Sequence, residues 1–373
     1  MLPTISYLTD IYFGPGVISE LCNLCEAHNV TRPLLVTDQG LVALGMHERV
    51  PCEPAAMFAD IPTNPTEQSV LAGLDAYHEN DCDGIIALGG GSPIDCAKAI
   101  SLLVTHPKPL EQYALIRGGL SLITADKPPL FAVPTTAGTG SEVGRASLIT
   151  VASGTKLGLI SKHLIPTAAV CDPELTLGMP AQLTAATGID AISHCVETFC
   201  SPKLNPVADA IALDGLERAW KNLSAAAKSP NDITYRSEMM MASTQGALAF
   251  QKGLGLIHSL SHPLGALEEP RLHHGVLNAI FLPHVIRFNA SACPEKMDAM
   301  GQVMGTGAGA DALANAFAEL NTALGLPARL SELGVTAAHL EGIAEAALAD
   351  HSTPCNPRPL ELEDCQAVLE ASL

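Results

Sequence analysis

Along the first ~175 residues, short apolar runs bounded by Gly, Pro or Asp alternate with segments of helical spacing. RPLLVTD (32–38), GIIALGG (84–90), PLFAVPTT (129–136) and TAAVCDP (167–173) read as strands. Between them, PTEQSVLAGLDAYHEND (65–81) and SPIDCAKAISLLVTH (92–106) place their apolar residues as helices do. Strands alternating with helices imply right-handed crossovers and a mostly parallel sheet. ISYLTDIYFGPG (5–16) reads as an edge strand able to pair across a dimer. After about residue 178 strand-like runs become scarce, and long Ala- and Leu-rich segments such as NPVADAIALDGLERAWKNLSAAA and DALANAFAELNTALG predict an all-helical second domain. The boundary falls within DPELTLGMP (172–180), giving an α/β domain at 1–177 and a helical one at 178–373.

A length of 373 residues agrees with two domains and a large core. The chain carries 39 acidic against 20 basic residues, a formal charge of −19. A surface that acidic argues against nucleic acid and anionic lipid as partners. No run approaches the roughly 20 apolar residues that span a bilayer, and the start, MLPTISYLTD, has no secretion-signal pattern. The 11 cysteines are scattered, with Cys96, Cys171 and Cys195 in apolar runs, as in a reduced cytoplasmic protein. Cys22 and Cys25 form C-x-x-C without a second pair, and read as core residues of one helix.

Two loops carry candidate chemistry. Gly89-Gly90-Gly91-Ser92-Pro93-Ile94-Asp95 follows a buried strand and opens a helix, with Ser92 placed to cap and Pro93 to fill the first turn. Glycines let backbone approach a ligand, and amides at a helix start attract anions, so a pyrophosphate suits it; a tight turn without ligand uses similar residues. Pro134-Thr135-Thr136-Ala137-Gly138-Thr139-Gly140-Ser141-Glu142 also follows a strand and offers a hydroxyl-rich wall. Asp38, ending the opening strand, is either a turn aspartate or a carboxylate for a ribose 2′-hydroxyl, where it would repel a 2′-phosphate.

The helical half concentrates histidines. Asp190 and His194 stand at i, i+4 in the apolar TGIDAISHCVETF, His258 and His262 at i, i+4 in GLGLIHSLSHPLGA, and His273, His274 and His284 follow in RLHHGVLNAIFLPHV. Taken alone, Asp190 and His194 also fit a buried hydrogen-bonded pair. So many imidazoles in apolar company cannot all be charged, and one carboxylate with several neutral imidazoles around a divalent cation resolves the conflict. Nitrogen and oxygen donors without thiolate suit Fe²⁺, Zn²⁺, Mn²⁺ or Ni²⁺.

GGGSPIDCAKA, PTTAGTGSEV, DPELTLGMP, ATGIDAISHCVE, GLGLIHSLSHPLGA, HGVLNAIFLPHV and the late STPCNPRPLELED (352–364) stand in the order in which they occur in the iron-containing, or group III, alcohol dehydrogenases, and the chain resembles that family over nearly its whole length. The resemblance implies a Rossmann-like dinucleotide-binding domain followed by a helical metal-binding domain, the dehydroquinate synthase-like fold. It implies that Gly90, Gly91 and Ser92, with Asp95 of the same loop, belong to the NAD pyrophosphate site. Thr135, Thr136 and Thr139 would line the dinucleotide, Asn64 and Lys156 would contact it, and Asp38 would favour NAD over NADP. Asp190, His194, His258 and one of His273 and His274 match the metal ligands, and His262 matches a histidine beside the metal that serves as a proton relay. Counting register from the downstream block selects His274, since neighbours on a helix point about 100° apart. The metal would be Fe²⁺ first and Zn²⁺ second, the substrate a small alcohol, aldehyde or ketone, and the assembly a cytoplasmic homodimer or larger homo-oligomer. Within the family pattern, LEEPRLHH (267–274) is about two residues longer and adds Glu268, Glu269 and Arg271, and Gly144-Arg145 departs from it as well. Competing readings are a metal-independent reductase of the maleylacetate type, which would lack the complete Asp/His set, a dehydroquinate-synthase-like lyase, which would need a basic site, and a non-catalytic NAD- or metal-binding relative.

Overall fold

The computed structural model describes residues 9–373, so the 5–8 part of the expected edge strand lies outside the described residues. Five short runs pair in parallel: β1 (Asp10–Phe13), β2 (Pro33–Val36), β3 (Ala56–Phe58), β4 (Gly84–Gly89) and β5 (Leu130–Pro134). With β8 (Ala168–Cys171) they make one six-stranded sheet in the order β1-β8-β5-β4-β2-β3. Between β5 and β8, β6 (Ala146–Thr150) and β7 (Lys156–Ile160) form a separate antiparallel hairpin. The four strands expected from apolar runs are all present; β1 lies at a sheet edge within the expected segment, whereas β3 and the hairpin were not anticipated.

Continuous apolar strands are what a parallel sheet covered on both faces requires, and alternate residues go to opposite sides. Leu34, Val36, Ile85, Ala87, Leu130 and Ala132 pack on one face with α3 (Glu67–Glu79) and α4 (Gly91–Leu103), while Leu35, Ile86, Leu88, Phe131, Val133 and Val170 pack on the other with α1 (Leu21–Ala27). The short α2 (Gln39–Ala43) follows β2. Fully buried Asp172, just past β8, accepts from the amides of Gly16 and Ile18, each at 3.1 Å, and of Glu174 at 3.0 Å, tying the start of the chain to the end of the sheet.

The second unit is helical: α5 (Ala181–Cys200), α6 (Pro206–Lys228), α7 (Ile233–Ala249), α8 (Leu256–Leu264), α9 (His274–Asn289), α10 (Pro294–Met304), α11 (Ala310–Ala323), α12 (Ile343–Leu348) and α13 (Leu362–Ser372). α5 is buried from Thr184 to Cys200 and packs against α6, α7 and α9. Gly178–Leu373 clusters as this compact unit, and Gly140–Leu177 clusters with the α/β part; the short stretch Ala137–Thr139 groups with the helices, although Thr139 had been expected in the first domain. Among the described residues, no helix is long and apolar enough to cross a membrane.

Candidate functional site

Burial without compensation is prohibitive for an ionised carboxylate, yet Asp190 is only 3% exposed in the middle of α5. Its compensation comes from three imidazoles. His194, one turn on, His258 on α8 and His274 at the start of α9 each bring Nε2 to 3.6 Å from Asp190 Oδ1. Asn278, one turn after His274, donates from Nδ2 to the same oxygen at 2.8 Å. α9 reaches α5 this closely because of Gly275, where a Cβ would stand 2.1 Å from the Ala186 carbonyl oxygen. The rings of His194 and His258 stack at 4.8 Å between centroids.

The electrostatics follow from this crowding. Burial would raise Asp190, but His194, His258 and His274 hold it well below the usual carboxylate range. His194 falls to about 4 through burial, against the pull of Asp190. Burial acts to lower His258 too, but Glu197 and Asp190 raise it to about 9.

Glu197 was not singled out from the sequence. It lies almost one turn after His194, its Oε2 is 2.5 Å from His258 Nδ1, and its Oε1 accepts from the Ile257 amide at 2.6 Å. A carboxylate on Nδ1 makes that nitrogen the donor and turns Nε2 toward Asp190. The signal available was an acidic residue in an apolar helix, three positions after a candidate ligand.

His262 stands beside this group. Its ring stacks on His274 at 5.5 Å and 8°, and its Nδ1 donates to Asp350 Oδ2 at 2.9 Å. The His351 ring also stacks on that of His262, at 5.3 Å. Asp350 and His351, also missed, precede the late STPCNPRP block. That block packs on α8: Asn356 Oδ1 accepts from the Leu256 amide at 3.2 Å, and Thr353 donates to Ser259 Oγ at 2.8 Å. His273, the N-cap position of α9, is exposed, and none of the ion pairs around Asp190 includes it or His284.

Asp190, His194 and His258 each offer one donor atom within 4.8 Å of the others. With His274 completing a ring about one carboxylate oxygen, the donor set is one oxygen and three nitrogens, free of thiolate. This suits a divalent transition metal.

In the α/β unit, parallel register aligns the carboxyl ends of β2, β4 and β5: Val36 pairs with Ala87 and Gly89 with Pro134. Thr37-Asp38, Gly90-Gly91-Ser92 and Thr135-Thr136 therefore leave neighbouring strand ends, where open α/β sheets bind ligands. Gly89 has φ +153°, which favours glycine, and a Cβ on Gly90 would meet Thr136 Oγ1 at 3.2 Å. No side chain caps α4. Pro93 has no N–H, so Gly91 and Ser92 supply the amides of its first positions, an arrangement that fits a pyrophosphate. Lys156 Nζ donates to Asn64 Oδ1 at 3.2 Å.

One expectation is corrected, and two candidate residues carry structural bonds. Gly90, not Ser92, is the N-cap, because Gly91 is already helical; Ser92 Oγ donates to the Thr63 carbonyl instead. Asp95 makes structural bonds: Oδ1 accepts from Ser141 at 2.5 Å and Oδ2 from the Leu148 amide at 3.0 Å, which ties the carboxylate to the hairpin. Asp38 serves as the N-cap of α2, accepting from the Leu41 amide at 2.9 Å, so a cofactor contact would share that carboxylate with the cap.

Comparison with known proteins identifies the family. The iron-containing alcohol dehydrogenase model matches residues 9–173, and the C-terminal model of the Fe-containing alcohol dehydrogenase family matches 184–373. The chain is 48% identical over 380 aligned positions to a 4-hydroxybutyrate dehydrogenase of Cupriavidus necator, covering 99% of each. The crystal structure of a 1,3-propanediol oxidoreductase superposes with TM-score 0.94 at 35% identity over 100% of both chains. A sulfoacetaldehyde reductase from Bifidobacterium kashiwanohense, solved with NAD⁺, superposes with TM-score 0.90 at 27% identity, over 100% of this chain and 99% of that one. Two domain models in tandem and relatives aligned end to end leave one assignment: the chain belongs to the iron-containing alcohol dehydrogenase family and is an oxidoreductase of that family.

Proposed function

We propose that the protein is an NAD-dependent, metal-containing dehydrogenase that interconverts a primary alcohol and its aldehyde. The observation that carries this reading is the meeting of three imidazole Nε2 atoms at one buried Asp190 oxygen. Asp190, His194, His258 and His274 are the residues to hold a divalent ion, Fe²⁺ before Zn²⁺. When bound, the ion lends Lewis acidity that lowers the pKa of an alcohol hydroxyl, and the nicotinamide accepts hydride.

The chain's own residues do the rest. Glu197 fixes the His258 ring through Nδ1, and Asn278 holds the Asp190 oxygen. Asp350 takes the Nδ1 proton of His262 as a hydrogen bond, which leaves Nε2 of that ring to exchange the alcohol proton. Gly90, Gly91 and Ser92 offer the helix-start amides to the pyrophosphate, Thr135, Thr136 and Thr139 line the dinucleotide, and Asn64 with Lys156 contacts it. Asp38 would disfavour a 2′-phosphate by charge. In this reading residues 1–177 carry the nucleotide and 178–373 the metal.

The similarity to a 4-hydroxybutyrate dehydrogenase supports 4-hydroxybutyrate as the first candidate substrate. The test is NADH formation by metal-loaded protein with 4-hydroxybutyrate, 1,3-propanediol and simple primary alcohols, repeated with NADP. Turnover that depends on metal and prefers NAD is expected. Undiminished turnover after complete metal removal would sink the metal reading, and equal use of NADP would sink the role of Asp38.

A further inference from the structure

The C-x-x-C of α1 is not absorbed by either site. Cys25 is buried there, as a core cysteine should be, but Cys22 is only half-buried. A third cysteine joins them. Cys52, in the segment that follows β2 and α2, stands with Sγ 2.7 Å from Cys22 Sγ. That separation is less than an ångström outside a disulfide bond, about 2.04 Å. Nine of the 11 cysteines are buried, and the two that are not are this facing pair.

We propose that Cys22 and Cys52 form a redox-modification site, a dithiol that a small-molecule disulfide converts to an intramolecular disulfide. The chemistry is thiol–disulfide exchange. The Cys22 thiolate attacks one sulfur of the oxidant; the oxidant's S–S bond breaks, and one of its halves leaves as a thiolate that takes up a proton. Cys52, losing its proton, then attacks the Cys22 sulfur of the mixed disulfide and expels the second half. Two protein thiols are oxidised, one disulfide is reduced to two thiols, and no other reactant is needed.

Cys25 lies beside Cys52, with a hydrogen bond between the two thiols. Its burial keeps it from the oxidant, and the same burial pushes its thiol up to about 11. Burial and the neighbouring thiols also raise Cys52, which favours Cys22 as the point of entry. The product closes a ring across 30 positions of sequence. That ring contains β2, Asp38 and α2, so oxidation ties the Asp38 segment to α1. Closing such a loop restricts the unfolded chain.

The test treats the full-length protein with oxidised glutathione, then applies mass spectrometry without reduction, thiol titration and thermal unfolding. The expected product is lower in mass by two hydrogen atoms, has two fewer titratable thiols and a higher unfolding temperature, and reverts with dithiothreitol. Cys22→Ser and Cys52→Ser abolish the cross-link, and Cys25→Ser keeps it. Glutathione adducts without a cross-link, no reaction at all, or a cross-link that survives Cys52→Ser or disappears in Cys25→Ser would overturn the proposal. The native-protein mass needs no variant, so a variant that fails to fold does not spare it.

Discussion

At the scale of single residues, the site depends on which atoms of each ring are already committed. His258 has its Nδ1 taken by Glu197 at 2.5 Å, so its Nε2 is aimed before any ion arrives. Replacing Glu197 by Gln keeps the shape and weakens that hold. Metal affinity is expected to fall by about 10- to 100-fold, the usual cost of losing such a partner. Titration against a competing chelator checks this, and an unchanged affinity would mean that packing alone orients the ring. The His273–His274 pair is decided by the same logic. His274→Ala is expected to lose metal and activity, whereas His273→Ala keeps metal and at most alters substrate preference. Metal analysis of the two variants reads the difference, and the reverse pattern would show the register to be off by one residue.

At the scale of elements, the hairpin β6–β7 is pinned to α4 by a buried cation. Lys98 is fully buried, and its Nζ donates to Ser141 Oγ at 2.9 Å and to the carbonyls of Gly144 and Ala146, each at 2.8 Å. Burial pulls its pKa down to about 8, with Asp95 and Glu142 pulling the other way. The unfolded chain holds that proton up to about 10.5. Between those two values the unfolded state binds more protons than the folded one, so stability contributed by this group rises with pH there and is flat below about 8. Lys98→Met should reduce the rise, part of which belongs to Lys127, also pulled down to about 8 by burial, and, by stranding buried acceptors and Asp95, cost about 3–5 kcal/mol at neutral pH. Urea unfolding midpoints measured across the alkaline range check both, and an unaltered slope would show that Lys98 is not the group titrating.

For the whole molecule, the proposed metal ligands fall in one unit and the proposed nucleotide loops, Thr139 apart, in the other, each unit having its own internal contacts. Asp190→Ala or His194→Ala is therefore expected to abolish metal retention while NAD binding persists in part. Metal content and NAD binding by calorimetry, measured on the same preparations, separate the two. Wild-type metal content in both variants would refute the assignment. A formal charge of −19 accords with a small-molecule substrate rather than a polyanionic partner.

Much of this was legible from the chain because it is local. Apolar runs bounded by turn residues mark β2, β4, β5 and β8, since a strand buried on both faces has no polar face to show. Ala- and Leu-rich periodicity marks the helices, and the i, i+4 spacing of Asp190 with His194 and of His258 with His262 survives as geometry within α5 and α8. What escaped is non-local or too short to carry a pattern. β3 has three residues, and the hairpin owes its place to Lys98, a lysine that reads as surface until its acceptors are known. Glu197 meets His258 across 61 positions, Asp350 meets His262 across 88, and Cys52 meets Cys22 across 30. The sequence by itself determined the kinds of element, the order of the two units and the residue types able to bind metal and phosphate, because those follow from periodicity and side-chain chemistry. Only the tertiary structure decided which nitrogen faces Asp190, that Asp95 braces a hairpin, and that a third cysteine lies against the C-x-x-C helix, because those depend on how distant segments pack.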